Sequence, residues 1–344
     1  MAESPSPPGP ERPRVTAAVA RDLPRAMRFI VIAVVFGVGV NIAVTLFTTE
    51  RRTMAALRDI APAYLLLAAV LALLPLLMES LRLLVWARFF GRPLKLQDTL
   101  RCVCAGQVGA ALAPIALGNA AAKTAMLVER GLTAGEAAAV EGLSVVEDFL
   151  FFVIALPVAA WLTGAWHLEV VRHARAAFAH RLTQPWVVAA FIAVLVVAGT
   201  VFGMLARRRG SLFGFRDSVR DVLRRGKSRL LVTVLLMAVF WVCRYSVITA
   251  LAAALGLHEN PIRLFFLQWF VFSVMAFVPL PGAALGAESA FYVVYSGILP
   301  DWSLGVMTAG WRFFTFYFLV IVAAVALVIL PHEHPNTRAT DAVA

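Results

Sequence analysis

Residues 265–288 read FFLQWFVFSVMAFVPLPGAALGAE, a long apolar run that is broken near its end by prolines and glycines. The breaking residues are Pro279, Pro281, Gly282 and Gly286. Irregular backbone at membrane depth is tolerated only where protein or water covers it, because lipid cannot satisfy its hydrogen-bonding groups. The stretch therefore predicts a broken membrane segment whose break faces an internal cavity.

A second broken apolar run lies in the first half of the chain, at residues 105–118, and breaks at Pro114 and Gly118. Both broken runs follow a long apolar stretch with one arginine, and both precede a short amphipathic piece that ends in a glycine turn. The arginines are Arg82 and Arg244, and the turn glycines are Gly131 and Gly297. Paired broken segments in two halves of a membrane protein point to a transport site near mid-membrane.

Composition indicates a polytopic membrane protein, since 61% of the residues are hydrophobic and the mean hydropathy is +0.83. A chain of this length has no room for a separate soluble enzyme domain beside the predicted spans. The three cysteines lie in or beside apolar segments and predict neither a disulfide framework nor a metal site. No phosphate-binding loop or catalytic triad is recognisable, so we expect no cofactor and no enzymatic activity.

The apolar runs predict an all-α fold with about six transmembrane helices plus two re-entrant broken segments, since a helix needs ~20 residues to cross the bilayer. The predicted spans are residues 29–47, 62–86, 134–162, 185–205, 230–255 and 304–330. Residues 1–28 are rich in proline and arginine and are expected to be disordered. Residues 29–330 are expected to form one transmembrane domain, followed by a short polar tail at residues 331–344.

Lysine and arginine residues set the predicted orientation. Residues 207–229 carry nine basic residues, residues 1–28 carry five and residues 88–101 carry four. All three groups fall on one side of the membrane only if the broken segments do not cross it, and that side is predicted to be cytoplasmic. We therefore expect an inner-membrane protein with a cytoplasmic N-terminus and two inverted repeats, at about residues 62–162 and 230–330. The basic groups are expected to contact anionic lipid rather than nucleic acid.

Charged residues within the apolar segments form the candidate site, since an ionisable side chain at mid-bilayer costs ~2.5 kcal/mol or more without a partner or a cavity. Glu79 and Arg82 are three residues apart and are expected to pair with each other. Glu141 and Asp148 share one helical face, and Glu147 lies off that face. The basic residues available to these carboxylates are Lys123, Arg130, Arg244 and Arg312.

Two interpretations of these charges stay open at this point. In one, they pair with one another and fix helix packing. In the other, Lys123, Arg244 and Arg312 hold an anionic phosphate, while the carboxylates orient the arginines or bind a coupling proton. Trp86 is expected to anchor its helix at the membrane interface. The candidate substrate-binding residues are Arg82, Lys123, Asp148, Arg244, Glu288 and Arg312, and we expect function to depend most on Glu288 and Arg312.

The order and spacing of these pieces resemble the lysylphosphatidylglycerol synthase transmembrane-region family, also called the flippase-like domain family, over about residues 30–330. The pieces that carry the resemblance are Arg82 with Gly91, Pro114-x-x-x-Gly118, Gly131-Leu132-Thr133 with Ala137 and Asp148, Pro279-Leu280-Pro281-Gly282 with Gly286 and Glu288, and Trp311-Arg312. The resemblance implies a membrane domain that moves lipids across the bilayer. Bifunctional members add a soluble synthase domain, which we do not expect in this chain.

Three places depart from the family pattern. Asn119 and Ala122 replace an acidic residue and an arginine, Ser144-Val145 replaces a Glu-Arg pair, and Gly282-Ala283 replaces a Gly-Gly pair. Lys123 lies directly after the first departure. The departures concern positions that would contact a headgroup, so they predict an altered substrate.

We therefore expect an inner-membrane lipid translocase that moves a lipid with an anionic or modified headgroup. A small-solute or ion transporter with the same inverted architecture is one alternative, and it requires a cavity closed to lipid on all sides. An accessory subunit of a lipid- or glycan-synthesis complex and a membrane-embedded enzyme are further alternatives. The sequence leaves open a homo-oligomer or a lipid-synthesis partner.

Overall fold

The computed structural model describes residues 60–112, 117–164, 211–276 and 286–330, which form helices joined by short turns. In chain order the helices are α1 (Pro62–Phe89), α2 (Leu96–Leu112), α3 (Leu117–Glu129), α4 (Ala134–Thr163), α5 (Ser211–Arg225), α6 (Lys227–Ala254), α7 (Pro261–Ala276), α8 (Gly286–Tyr295), α9 (Asp301–Arg312) and α10 (Phe318–Ile329), with a π-helical turn at Phe313–Tyr317.

The all-α membrane fold predicted from the sequence is confirmed. Four helices are long and apolar enough to cross a membrane, and they match four predicted spans to within three residues at each end. They are Pro62–Phe89, Ala134–Thr163, Lys227–Ala254 and Asp301–Ile329.

Several predicted features lie outside the described residues. They are the spans at 29–47 and 185–205, the N-terminal residues 1–28, the tail at 331–344, and the breaking residues Pro114, Pro279, Pro281 and Gly282. The other two breaking residues, Gly118 and Gly286, lie in the first turns of α3 and α8. The total of about six spans, the re-entrant character of the broken segments and the inverted repeats stay predictions.

Turn and cap residues explain where the first helices begin and end. Gly91 and Gly131 have φ angles of 73° and 95°, which residues with a side chain rarely adopt, and each lies two residues after the end of a helix, α1 or α3. Thr133 and Glu136 then form a capping box at the start of α4, in which each side chain accepts a hydrogen bond from the other residue's backbone N–H. Part of the motif that carries the family resemblance therefore starts a membrane helix.

The described helices of residues 62–163 and those of residues 227–329 make corresponding contacts. Each main contact of a helix in one half has a counterpart made by the matching helix of the other half. Helices α1 and α6, which begin the two halves, make the most extensive contact with each other. Helix α4 of the first half packs on α7 of the second half. Helix α10, which corresponds to α4, packs in the same way on α2 of the first half. Within each half the short helices also pack alike, as α2 on α3 and α7 on α8. The charged site therefore lies in a bundle whose two halves contribute equivalent elements.

Helices α2 and α3 form an antiparallel hairpin that depends on glycines at the crossing. With 17 and 13 residues, they are about 25 Å and about 20 Å long, less than the ~30 Å hydrocarbon core. A Cβ atom on Gly109 would lie 2.5 Å from the carbonyl oxygen of Gly118. A Cβ atom on Gly106 would lie 2.8 Å from Cγ of Lys123. The close approach brings Lys123 into the bundle.

We predict that Gly109→Ala lowers the stability of the purified protein by about 1–3 kcal/mol, the range for overpacking a close contact. The added methyl group would meet the Gly118 backbone, which cannot move aside as a flexible side chain can. Thermal unfolding in detergent measures the effect. Gly142→Ala is the matched control, because its Cβ would meet only Phe215 at an ordinary 3.6 Å. Equal melting temperatures for the two variants would contradict the crossing geometry.

Candidate functional site

Arg82 is the centre of a buried ion-pair cluster that joins the helices of the first half. Its side chain is 0% exposed, and Nη1 lies 3.3 Å from Oε2 of Glu147. The same nitrogen donates a hydrogen bond of 3.1 Å to the carbonyl oxygen of Val140, and Nη2 lies 3.9 Å from Oε1 of Glu141. Trp86 donates its indole N–H to the other oxygen of Glu147, at 2.8 Å. Helices α1 and α4 are thereby held together through charge.

Lys123 joins the same cluster from the hairpin. Its Nζ lies 2.6 Å from Oε1 of Glu79 and 2.9 Å from Oε2 of Glu141. Glu79 and Arg82 attract each other electrostatically, as expected, but each has a closer opposite charge, Lys123 of α3 for Glu79 and Glu147 of α4 for Arg82. Arg130 pairs with Asp98 of α2.

Glu147 and Trp86 have roles that the sequence analysis did not assign. Glu147 is fully buried as the nearest carboxylate to Arg82, and Trp86 is fully buried with its indole N–H bonded to Glu147, so its side chain is covered by protein. A signal for Glu147 is present in the sequence, because it follows the buried residues Ala139 and Leu143 at intervals of four residues. It lies off the face of Glu141 and Asp148 because it points toward the side chains of Arg82 and Trp86 of α1.

The second half contributes the ion pair of Glu288 and Arg312, with 3.2 Å between Oε1 and Nε. Arg312 is 1% exposed, and its guanidinium carbon lies 4.4 Å from the ring centroid of Phe316. The π-helical turn begins at the next residue, and π-helical turns are frequent at functional sites. The equivalent pair in the first half is Lys123–Glu141. There the basic residue lies on the short helix α3 and the acidic residue on α4, whereas in the second half the acidic residue lies on the short helix α8 and the basic residue on α9.

Arg244 of α6 differs from the other interior cations because it has no carboxylate within 4 Å in the described part of the chain. Its guanidinium carbon lies 5.2 Å from the ring centroid of Phe272 and 5.9 Å from that of Phe240. It interacts electrostatically with Glu79 and is repelled by Arg312, so it is within reach of both ion-pair groups. The side chain is partly exposed. Arg244 is thus a cation that retains its capacity to bind an anion.

Asp148 of α4 is the corresponding carboxylate. Its Oδ1 accepts a hydrogen bond of 2.7 Å from the indole N–H of Trp241, and no basic nitrogen lies within 4 Å among the described residues. Trp241 is three residues before Arg244 on α6, so the two charges that lack an opposite partner are placed by facing helices. The structure therefore divides the six predicted binding residues into four that are paired and two that are not.

Metal binding has no support within the described ranges, where no group of three or more His, Cys, Asp or Glu side chains could hold an ion. The chemistry available to the site is that of its paired and unpaired charges.

We predict that Glu147→Gln lowers stability by about 3–5 kcal/mol, because removing one partner leaves the buried Arg82 charge poorly compensated. The melting temperature of the purified protein measures this effect. Asp221→Asn is the control, since Asp221 pairs with Arg225 on the exposed surface of α5 at 3.0 Å, and such a pair contributes ~0.5 kcal/mol or less. An unchanged melting temperature for Glu147→Gln would show that Arg82 does not depend on Glu147.

Comparisons with known proteins agree with this organisation. The family model for the lysylphosphatidylglycerol synthase TM region matches residues 30–323. A UPF0104 membrane protein of Archaeoglobus fulgidus is 23% identical over 312 residues, which cover 85% of this chain and 95% of that protein. The chain therefore belongs to the lysylphosphatidylglycerol synthase transmembrane-region family, as a membrane protein that aligns with nearly the whole length of this archaeal relative.

Proposed function

We propose that the protein is a lipid translocase that moves an amphiphile with an anionic headgroup through the polar interior of the bundle. The observation that carries the proposal is Arg244, a cation within a membrane-spanning helix that contacts aromatic rings and, among the described residues, no carboxylate. Placing a charge within a membrane helix costs free energy, and such charges therefore face an opposite partner or a polar cavity. A phosphate or similar anion is the partner that a guanidinium binds best, through two parallel hydrogen bonds.

The proposal gives the other charged residues supporting roles. Arg82 and Lys123 are already neutralised by glutamates, so they hold α1, α3 and α4 together. Arg312 is paired with Glu288 and acts on Arg244 by repulsion, which favours an anion between them. The direct headgroup contact is thus assigned to Arg244, with Glu288 and Arg312 at the border of the same site.

Exposed apolar side chains beside the two unpaired charges support an amphiphile over a soluble solute. Val145 and Phe149 flank Asp148 on α4 and are 68% and 66% exposed, and Val242 beside Arg244 is 47% exposed. Lipid can therefore reach the helix surface next to both charges. An apolar surface next to a polar interior suits a lipid whose headgroup enters the cavity while its tails stay in hydrocarbon.

The cellular setting is proposed from the charge distribution of the sequence. The basic stretch at residues 207–229 includes α5, whose Arg220, Arg224 and Arg225 are exposed. Such a helix is expected to lie on anionic lipid at the cytoplasmic face of the inner membrane. In this proposal the protein is a transporter rather than an enzyme, and its partner is its lipid substrate.

We predict that Arg244→Gln reduces transport of an anionic lipid about 10- to 100-fold. Losing hydrogen bonds between a charged donor and a phosphate costs about 1.5–3 kcal/mol, and each ~1.4 kcal/mol is a factor of ten. The assay follows fluorescent phosphatidylglycerol between leaflets of proteoliposomes, through quenching by a reagent that reaches only the outer leaflet. Fluorescent phosphatidylcholine serves as the lipid without net charge.

The matched control is Arg220→Gln, which removes an exposed arginine of α5 and is expected to transport as the unmodified protein does. Transport by Arg244→Gln at the unmodified rate would contradict the assignment of the headgroup contact. Absence of movement of either lipid by the unmodified protein, in liposomes where it is correctly folded, would contradict the translocase proposal for these phospholipids.

A further inference from the structure

Asp148 is an interior carboxylate whose only hydrogen bond in the described residues is neutral. Trp241 donates to Oδ1 at 2.7 Å, and no lysine, arginine or histidine nitrogen of the described residues lies within 4 Å. The charge of the adjacent Glu147 is compensated, because Arg82 pairs with one of its oxygens and the indole N–H of Trp86 donates to the other. Because an uncompensated charge in a membrane helix costs several kcal/mol, Asp148 requires a positively charged ligand.

The charged groups around Asp148 come from several helices. Arg82 of α1 attracts it, whereas Glu79 of α1 and Glu147 of α4 repel it. Tyr245 of α6 interacts with it electrostatically as well. Lys123 of α3 is held by Glu79 and Glu141, and Arg244 of α6 lies beside Phe272. The other charged residues on helices packed against α4 are Glu129 of α3, Lys227 and Arg229 of α6, Arg263 in the first turn of α7, and Arg216, Asp217, Arg220, Asp221, Arg224 and Arg225 of α5. Arg82 is the basic residue that attracts Asp148, but it already forms ion pairs with Glu141 and Glu147.

The buried cluster around Arg82 carries more acidic than basic residues among the described residues. Its basic residues are Arg82 and Lys123, and its carboxylates are Glu79, Glu141, Glu147 and the neighbouring Asp148. Protonation of Asp148 therefore brings this cluster closer to electrical balance. A monoanionic headgroup that binds Arg244 increases the negative charge further and makes that proton more favourable.

We propose that Asp148 is the proton-binding site of the transport cycle, so that one proton crosses with each anionic headgroup. This inference rests on the proposed translocase function. The proton is taken from water on one face by a carboxylate oxygen of Asp148 and returns to water on the other face. Trp241 donates to Oδ1 throughout, because the carbonyl oxygen of a protonated carboxyl group accepts the same hydrogen bond.

A proton suits this position better than a metal cation. The indole of Trp241 packs 4.9 Å from the ring of Phe152 and 5.2 Å from that of Tyr245, so the hydrogen-bond donor of Asp148 is enclosed by aromatic rings. A hard metal ion needs about six oxygen ligands, and the described residues contain no group of three or more His, Cys, Asp or Glu side chains that could hold one. One carboxylate with an indole donor is sufficient for a proton.

The test combines an infrared titration with transport. Purified protein in lipid nanodiscs is titrated from alkaline to mildly acidic pH, and the C=O stretching band of protonated carboxyl groups is recorded. We expect a band component that is lost in Asp148→Asn and retained in Asp217→Asn, a matched change at an exposed residue of α5. Trp241→Phe is expected to shift the pH midpoint of the same component while Asp148 is still present.

In proteoliposomes, we expect an imposed pH gradient to accelerate movement of fluorescent phosphatidylglycerol by unmodified protein at least several-fold and to leave Asp148→Asn unaffected. If lipid moves independently of the gradient and the infrared component persists in Asp148→Asn, the proton site is refuted and the translocase stands. If no lipid moves but the component is lost in Asp148→Asn, the proton site stands and the translocase fails. An infrared component that is absent from the unmodified protein overturns the proton site whatever the transport result.

Discussion

Arg82 is completely buried within a membrane-spanning helix, so other side chains must balance its charge. Glu147 and Glu141 of α4 supply that balance, and Trp86 fixes the orientation of Glu147. Lys123 enters because Glu79 and Glu141 together exceed what one arginine can neutralise. A chain of ion pairs therefore links α1, α3 and α4. Apolar packing alone would give these helices no such registration, because lipid is as apolar as they are.

The same requirement distinguishes charged residues that hold the helices together from charged residues that are available to a ligand. Wherever a charge has an opposite partner at 2.6–3.3 Å, as in Lys123–Glu79 and Arg312–Glu288, its structural role accounts for it. Arg244 and Asp148 are not accounted for in this way, and both lie beside exposed apolar side chains. The division gives substance to both interpretations of the interior charges, since most of them fix packing and two remain available for a ligand.

The long helices could be predicted from the sequence because each is an apolar run bounded by turn glycines such as Gly91 and Gly131. The partners of the charged residues could not. Lys123 reaches Glu79, 44 residues away in sequence, because glycines at positions 106 and 109 let α2 and α3 cross closely. Spacing within α1 predicts that Glu79 pairs with Arg82, and the position of Trp86 near the end of an apolar run predicts an interfacial anchor. Neither prediction takes a neighbouring helix into account. Helical periodicity contained the signal for Glu147, but its meaning depends on α1 lying against that face.

The central claim, that Arg244 binds an anionic headgroup inside the bundle, is tested most directly by native mass spectrometry of gently purified protein with identification of the retained lipids. The account predicts that one class of anionic lipid is enriched well above its abundance in the membrane. That enrichment should be lost in Arg244→Gln and kept in Arg220→Gln, which separates the interior site from general attraction to the basic helix α5. Retained lipids in the proportions of the membrane, or equal enrichment in the unmodified protein and Arg244→Gln, would contradict it.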